Sequence, residues 1–142
     1  MKRHFRNSYI LLSVFIFLTS CASNYYSATK TYDIGEYYDA IKKCQEASRK
    51  EKDPKLRLEL DYKQACAYWH IGDYKKAEPR FKNLITKQYP DSSLVLKYAE
   101  ALRFNGNYTD AIKYYNQFLD SVPRNQEAIN GIESCKKTPE WE

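Results

Sequence analysis

Three glycines in register limit what this chain can fold into. Gly35, Gly72 and Gly106 stand 37 and 34 residues apart, and Ala40, Ala77 and Ala111 keep the same two intervals. The order between them is also shared. A polar residue follows each glycine (Glu36, Asp73, Asn107), then a tyrosine (Tyr37, Tyr74, Tyr108), then the alanine three positions on, then Cys44, Phe81 or Tyr115 four beyond that. Such spacing is the stripe of a helix. Glycine adopts the left-handed conformation that ends helices without a Cβ penalty. Each copy therefore predicts a helix, a tight stop, and a second helix whose free amides are capped by the polar residue. A period of this length implies stacked copies, each covering a face its neighbour cannot bury alone.

The unit resembles the tetratricopeptide repeat, a helix–turn–helix copy of 34 residues. The resemblance covers roughly Asn24 to Pro123. Copy three carries it most fully, in Ala99, Gly106, Tyr108, Ala111, Tyr115 and Pro123. In copy two Ala65 stands where a glycine is usual and Pro90 arrives one place late; copy one lacks a matching proline and holds three extra residues. The implied fold is all-α, a solenoid of three helical hairpins at about 24–55, 56–90 and 91–123, with a C-terminal capping helix over 125–137. Terminal repeats need such a cover, and Ala128, Ile129 and Ile132 are its expected inner face. Lys50 to Lys55, with Pro54, reads as a polar connection, and residues 138–142 as a tail.

Ahead of the repeats, Lys2, Arg3 and Arg6 precede an apolar stretch from Tyr9 to Leu18 that is too short to span a bilayer. A positive start, a short apolar core and small residues describe a secretory signal over 1–20. Leu18-Thr19-Ser20-Cys21 looks like a bacterial lipobox, which implies an acylated Cys21 as the first mature residue. Two or more acyl chains hold a protein stably on a membrane. Neither Ala22 nor Ser23 is the aspartate that retains some lipoproteins at an inner membrane, so the expected location is the periplasmic face of an outer membrane. Loss of the leader removes three basic residues and no acid, lowering the formal charge from +5 to +2. That balance gives little reason to expect a nucleic-acid partner.

Little in the sequence supports catalysis. Only His4 and His70 occur, His4 lies in the leader, and no phosphate loop or zinc-ligand spacing is present. No cofactor and no small-molecule substrate are expected. Cys44, Cys66 and Cys135 remain beyond Cys21. A Cys44–Cys66 disulfide is conceivable in an oxidising periplasm, and the alternative is that these are small buried hydrophobes.

The family's groove-facing positions, counted back from each glycine, fall on Tyr25, Thr29, Tyr32 and Asp33 in copy one. They fall on Tyr62, Cys66, Trp69 and His70 in copy two, and on Leu96, Glu100, Arg103 and Phe104 in copy three. Tyr, Trp and Arg carry interface energy when a partner covers them, although 14 of the 142 residues are Tyr and some of these rings only pack. The resemblance implies a peptide or helix of a partner protein in a concave groove. Some relatives hold a terminal carboxylate in a Lys/Asn/Arg clamp, but Tyr25 and Thr29 stand at the matching positions here; Arg103 and His70 remain to meet an acidic segment. The expected function is a lipid-anchored adaptor at the outer membrane.

The stretch Tyr25 to Glu142, with Gly131-Ile132-Glu133-Ser134-Cys135 and Glu140-Trp141 near its end, is also similar to the amino-terminal repeats of OmpA-family lipoproteins of Bacteroidetes-type bacteria. One branch of those serves type IX secretion and gliding. In them the repeats continue into a propeller and a peptidoglycan-binding domain, so the alternative expectation is the repeat spacer of a truncated cell-wall tether.

Overall fold

The computed structural model describes residues 23–137, and every regular element among them is an α-helix. The described part of the first helix, α1, covers residues 23–33. It is followed by α2 (Tyr37–Lys50), α3 (Pro54–His70), α4 (Tyr74–Thr86), α5 (Leu94–Phe104), α6 (Tyr108–Ser121) and α7 (Gln126–Lys137). Three hairpins and a single closing helix result, as the glycine register predicts.

The hairpin turns are three copies of one hydrogen-bond pattern. Gly35, Gly72 and Gly106 have φ of +84°, +75° and +83°. Their N–H groups donate to the carbonyls of Tyr32, Trp69 and Arg103, while the next residues donate to Thr31, Tyr68 and Leu102, at 2.9–3.1 Å throughout. These paired bonds satisfy carbonyls that a helix end leaves open. The capping expectation needs correction. Only Asp73 caps through its side chain, accepting from the Lys76 N–H at 3.2 Å; Glu36 and Asn107 make no such bond. Asn107 instead turns its amide towards Glu78, Nδ2 to Oε2 3.4 Å.

Two prolines are placed by local sterics. Pro54 belongs to α3 rather than to the connection before it: it opens the helix, and Asp53 Oδ1 accepts from the Lys55 N–H at 2.8 Å. First-turn proline is well tolerated because its missing N–H would have had no helical partner. Pro79 lies inside α4 without ending it. It is exposed, and Arg80 Nη1 donates to the neighbouring Lys76 carbonyl at 2.7 Å.

The helices form two compact units that divide within α3, between Gln64 and Ala65. In the first, Ala28, Cys44, Ala47 and Leu60 make the core and Tyr25 packs against it. Polar seams join its helices: Lys43 Nζ donates to Thr31 Oγ1 at 2.8 Å, Ser48 Oγ to Asp61 at 2.7 Å, and Gln64 Nε2 to the Ile41 carbonyl at 3.1 Å.

In the second unit α5 contacts α4, α6 and α7. That position explains why Leu94, Leu96, Tyr98, Ala99, Ala101 and Leu102 are all buried along one eleven-residue helix. The inner face of α7 is Ala128, Gly131 and Cys135, whereas Ile129 and Ile132, expected there, are only half-buried. Gly131 sets this rotation. A Cβ there would sit 2.4 Å from Tyr115 Cζ, so α7 comes against that ring at a distance only glycine allows.

Candidate functional site

α5 and α7 run beside each other without filling the space between them, leaving a cleft of about 380 Å³. Glu100 and Arg103 of α5 and Tyr115 of α6 line it, and α7 supplies Gln126, Glu127, Asn130, Gly131 and Ser134. Polar side chains thus converge where two helices of a packed unit would otherwise meet through apolar ones.

Glu100 is the unusual group. It retains 7% of its exposure, yet it is a carboxylic acid in the middle of α5. Burial pushes its pKa up to about 7, and the Glu127 carboxyl beside it pushes in the same direction. Arg103 and the Trp69 indole act the other way without restoring an ordinary acidity. The Trp69 Nε1–H is itself buried and makes no hydrogen bond.

Arg103 is held at both ends. Its Nε donates to the Tyr115 hydroxyl at 3.2 Å, and its guanidinium lies 4.0 Å from the centre of the Phe104 ring. Phe104 in turn stacks on Tyr74, with centroids 4.2 Å apart and planes within 9°. Cation, ring and ring form a three-tier stack. Tyr115 is buried, and its hydroxyl is pushed up to about 12, by burial above all.

The residues expected from the repeat positions separate by depth. Glu100, Arg103 and Phe104 belong to the cleft or its edge, and Phe104 keeps half of its exposure. Trp69 is half-buried beside an exposed His70, ring centroids 5.0 Å apart, and partial burial and Lys97 lower the pKa of that imidazole. Cys66 and Leu96 are corrected to core residues: Cys66 has no exposed surface and Leu96 only 8%, so neither offers a contact.

In the first unit Tyr25, Thr29, Tyr32 and Tyr62 are all half-buried. Thr29 Oγ1 bonds back to the Tyr26 carbonyl at 3.1 Å. Tyr32 meets Tyr37 edge-on at 5.7 Å and carries Lys63 Nζ 4.7 Å above its ring. The exposed Asp33 pairs with that same Lys63 at 2.8 Å. Cys44 and Cys66 are buried thiols rather than a disulfide, and burial holds the Cys44 thiol up at about 11. The acylation site Cys21 lies outside the described residues.

Five cleft residues, Gln126, Glu127, Asn130, Gly131 and Ser134, were missed because α7 reads in the sequence only as a cover. A signal was present. Continuing the 34-residue interval beyond Gly106 carries the positions of Leu96 and Glu100 onto Asn130 and Ser134, and both line the cleft.

Residues 62–128 match the sequence model of the tetratricopeptide-repeat family. No curated protein matches the chain. Among solved structures it is similar to the second TPR domain of the human RPAP3 protein, determined by NMR in complex with the HSP70 peptide SGPTIEEVD. The likeness has 21% identity and a TM-score of 0.66, over 85% of this chain and 98% of that one. At that identity it bears on the fold, which is the helical-hairpin array of tetratricopeptide repeats.

Proposed function

We propose that this tetratricopeptide-type array is a non-enzymatic adaptor that holds a peptide or helical segment of a partner protein along its repeats. The observation that carries the reading is the α5–α7 cleft. Helix packing alone gives no reason to bury an acid there or to fix an arginine beside it, whereas recognition of a polar segment does. Exposed Phe104 and the half-buried Trp69 add aromatic area of the kind that anchors interfaces. The structural neighbour in its peptide-bound form supports the same use of the fold. Its peptide ends in Glu-Glu-Val-Asp, while the cleft here presents two carboxyls of its own.

Leu18-Thr19-Ser20-Cys21 behind a short apolar leader supports acylation of Cys21, and hence an adaptor moored on the periplasmic side of an outer membrane, serving envelope assembly or type IX secretion.

The test is affinity capture from detergent-solubilised envelopes with the full chain as bait. Trp69→Ala with Phe104→Ala should lower recovery of the specifically captured protein about tenfold, the scale of losing an aromatic anchor, while far-UV circular dichroism stays unchanged. Equal recovery by a fully helical variant defeats the reading.

A further inference from the structure

We propose that the cleft between α5 and α7 receives a lysine or arginine side chain of the bound segment, its cation held between the Glu100 and Glu127 carboxylates. The inference rests on the adaptor reading and names the chemistry of its guest.

Three independent observations lead there. Glu100 is more than nine-tenths buried and lines the cleft, yet no salt bridge reaches it among the described residues. A buried carboxylate costs free energy until a cation or donors meet it. Next, the neighbouring cation acts on Glu100 without pairing with it, since Arg103 is held by the Tyr115 hydroxyl and the Phe104 ring and makes no salt bridge among the described residues. Finally, the Trp69 N–H is buried at the same place with no hydrogen bond closed on it, and its influence on Glu100 is to favour the ionised form.

Other guests fit less well. An acidic side chain would bring a third carboxylate beside two, which raises the cost for all of them. A metal ion lacks ligands, because the described residues hold no group of three or more His, Cys, Asp or Glu arranged for one. An ammonium or guanidinium on a flexible stem needs only one approach path. Its carbons would cross Gly131 and the Tyr115 ring while its charge reaches the acids, the usual habit of these side chains.

Below about pH 7 Glu100 carries a proton where that cation would sit. The groups facing Glu100 are Glu127 on α7, Arg103 on α5 itself, Tyr115 on α6, Tyr74 on α4 and Trp69 on α3. Cys135 of α7 faces Arg103 and Tyr115. Tyr115, Tyr74 and Cys135 all have pKa values raised by burial, so they stay neutral between pH 5.5 and 8. A basic guest must displace the Glu100 proton. Its affinity therefore falls as pH drops through about 7.

The experiment passes a synthetic degenerate nonapeptide library over the immobilised full chain at pH 8 and at pH 5.5, and sequences what is retained. Glu100→Gln and Glu127→Gln variants, close in shape to the native residues, are run alongside with circular dichroism as a check on folding. The expected result is enrichment of Lys or Arg at one position by about tenfold at pH 8, the factor of a single charge-assisted contact. It should shrink at pH 5.5 and vanish in either variant. Enrichment without a basic preference, or a basic preference that survives in both variants, overturns this proposal and leaves the adaptor reading standing. Retention with no enrichment of any residue overturns both.

Discussion

At the scale of the residue, the absence of one methyl group at position 131 fixes how α7 lies. Tyr115 is buried and its hydroxyl accepts from Arg103, so a Cβ 2.4 Å from its Cζ has to move either that ring or the helix. Gly131→Ala should therefore destabilise the protein by about 1–3 kcal/mol, the usual cost of overpacking, despite alanine's helix propensity being better by about 1 kcal/mol. Urea unfolding of the two proteins checks the sign; a stabilised variant would mean that the helices are not in this contact. Periodicity could not reveal Gly131, because its reason for being small is a ring on another helix. The glycines at the hairpin turns were legible for the opposite reason, since their requirement is local to the backbone. Position counting likewise could not say how deep Cys66 and Leu96 lie, and depth is what removed them from the contact surface.

At the scale of the element, the seam between α5 and α7 makes stability depend on pH. Glu100 holds its proton more tightly in the fold than its ordinary value of 4.5 allows, so the folded protein binds more protons than the unfolded chain between about 4.5 and 7. Stability from this group is present below that window and is lost as pH rises through it. In the unliganded protein, the urea midpoint should fall from pH 5 to pH 8, and Glu100→Gln should flatten that slope and raise the midpoint at pH 8. A variant that tracks the native profile would place the titration elsewhere. The existence and order of α2 to α7 were readable from the glycine register and the repeat resemblance it carries. Their exact starts were less so: Pro54 reads as a linker residue until Asp53 is seen capping the helix it opens.

At the scale of the whole molecule, the proposed mooring depends on residues 1–22, ahead of the described structure. The lipobox reading predicts that cells fed radiolabelled palmitate incorporate label into the chain and that Cys21→Ser abolishes it. Label retained by that variant, or an unlabelled native protein, would remove the anchor while leaving the repeats untouched. A solenoid's fold is legible in sequence because its pattern is written several times over, whereas a cleft is written once, across helices that each look ordinary alone.

The three hairpin turns also bear on how the protein assembles. Each is closed by bonds between residues no more than five positions apart, so little loop entropy is lost before a pair of helices can meet. Chains rich in such short-range closures reach their native state in microseconds to milliseconds. A hairpin emerging from a ribosome thus has its turn ready before the next one has appeared, although its open face waits for that neighbour to cover it.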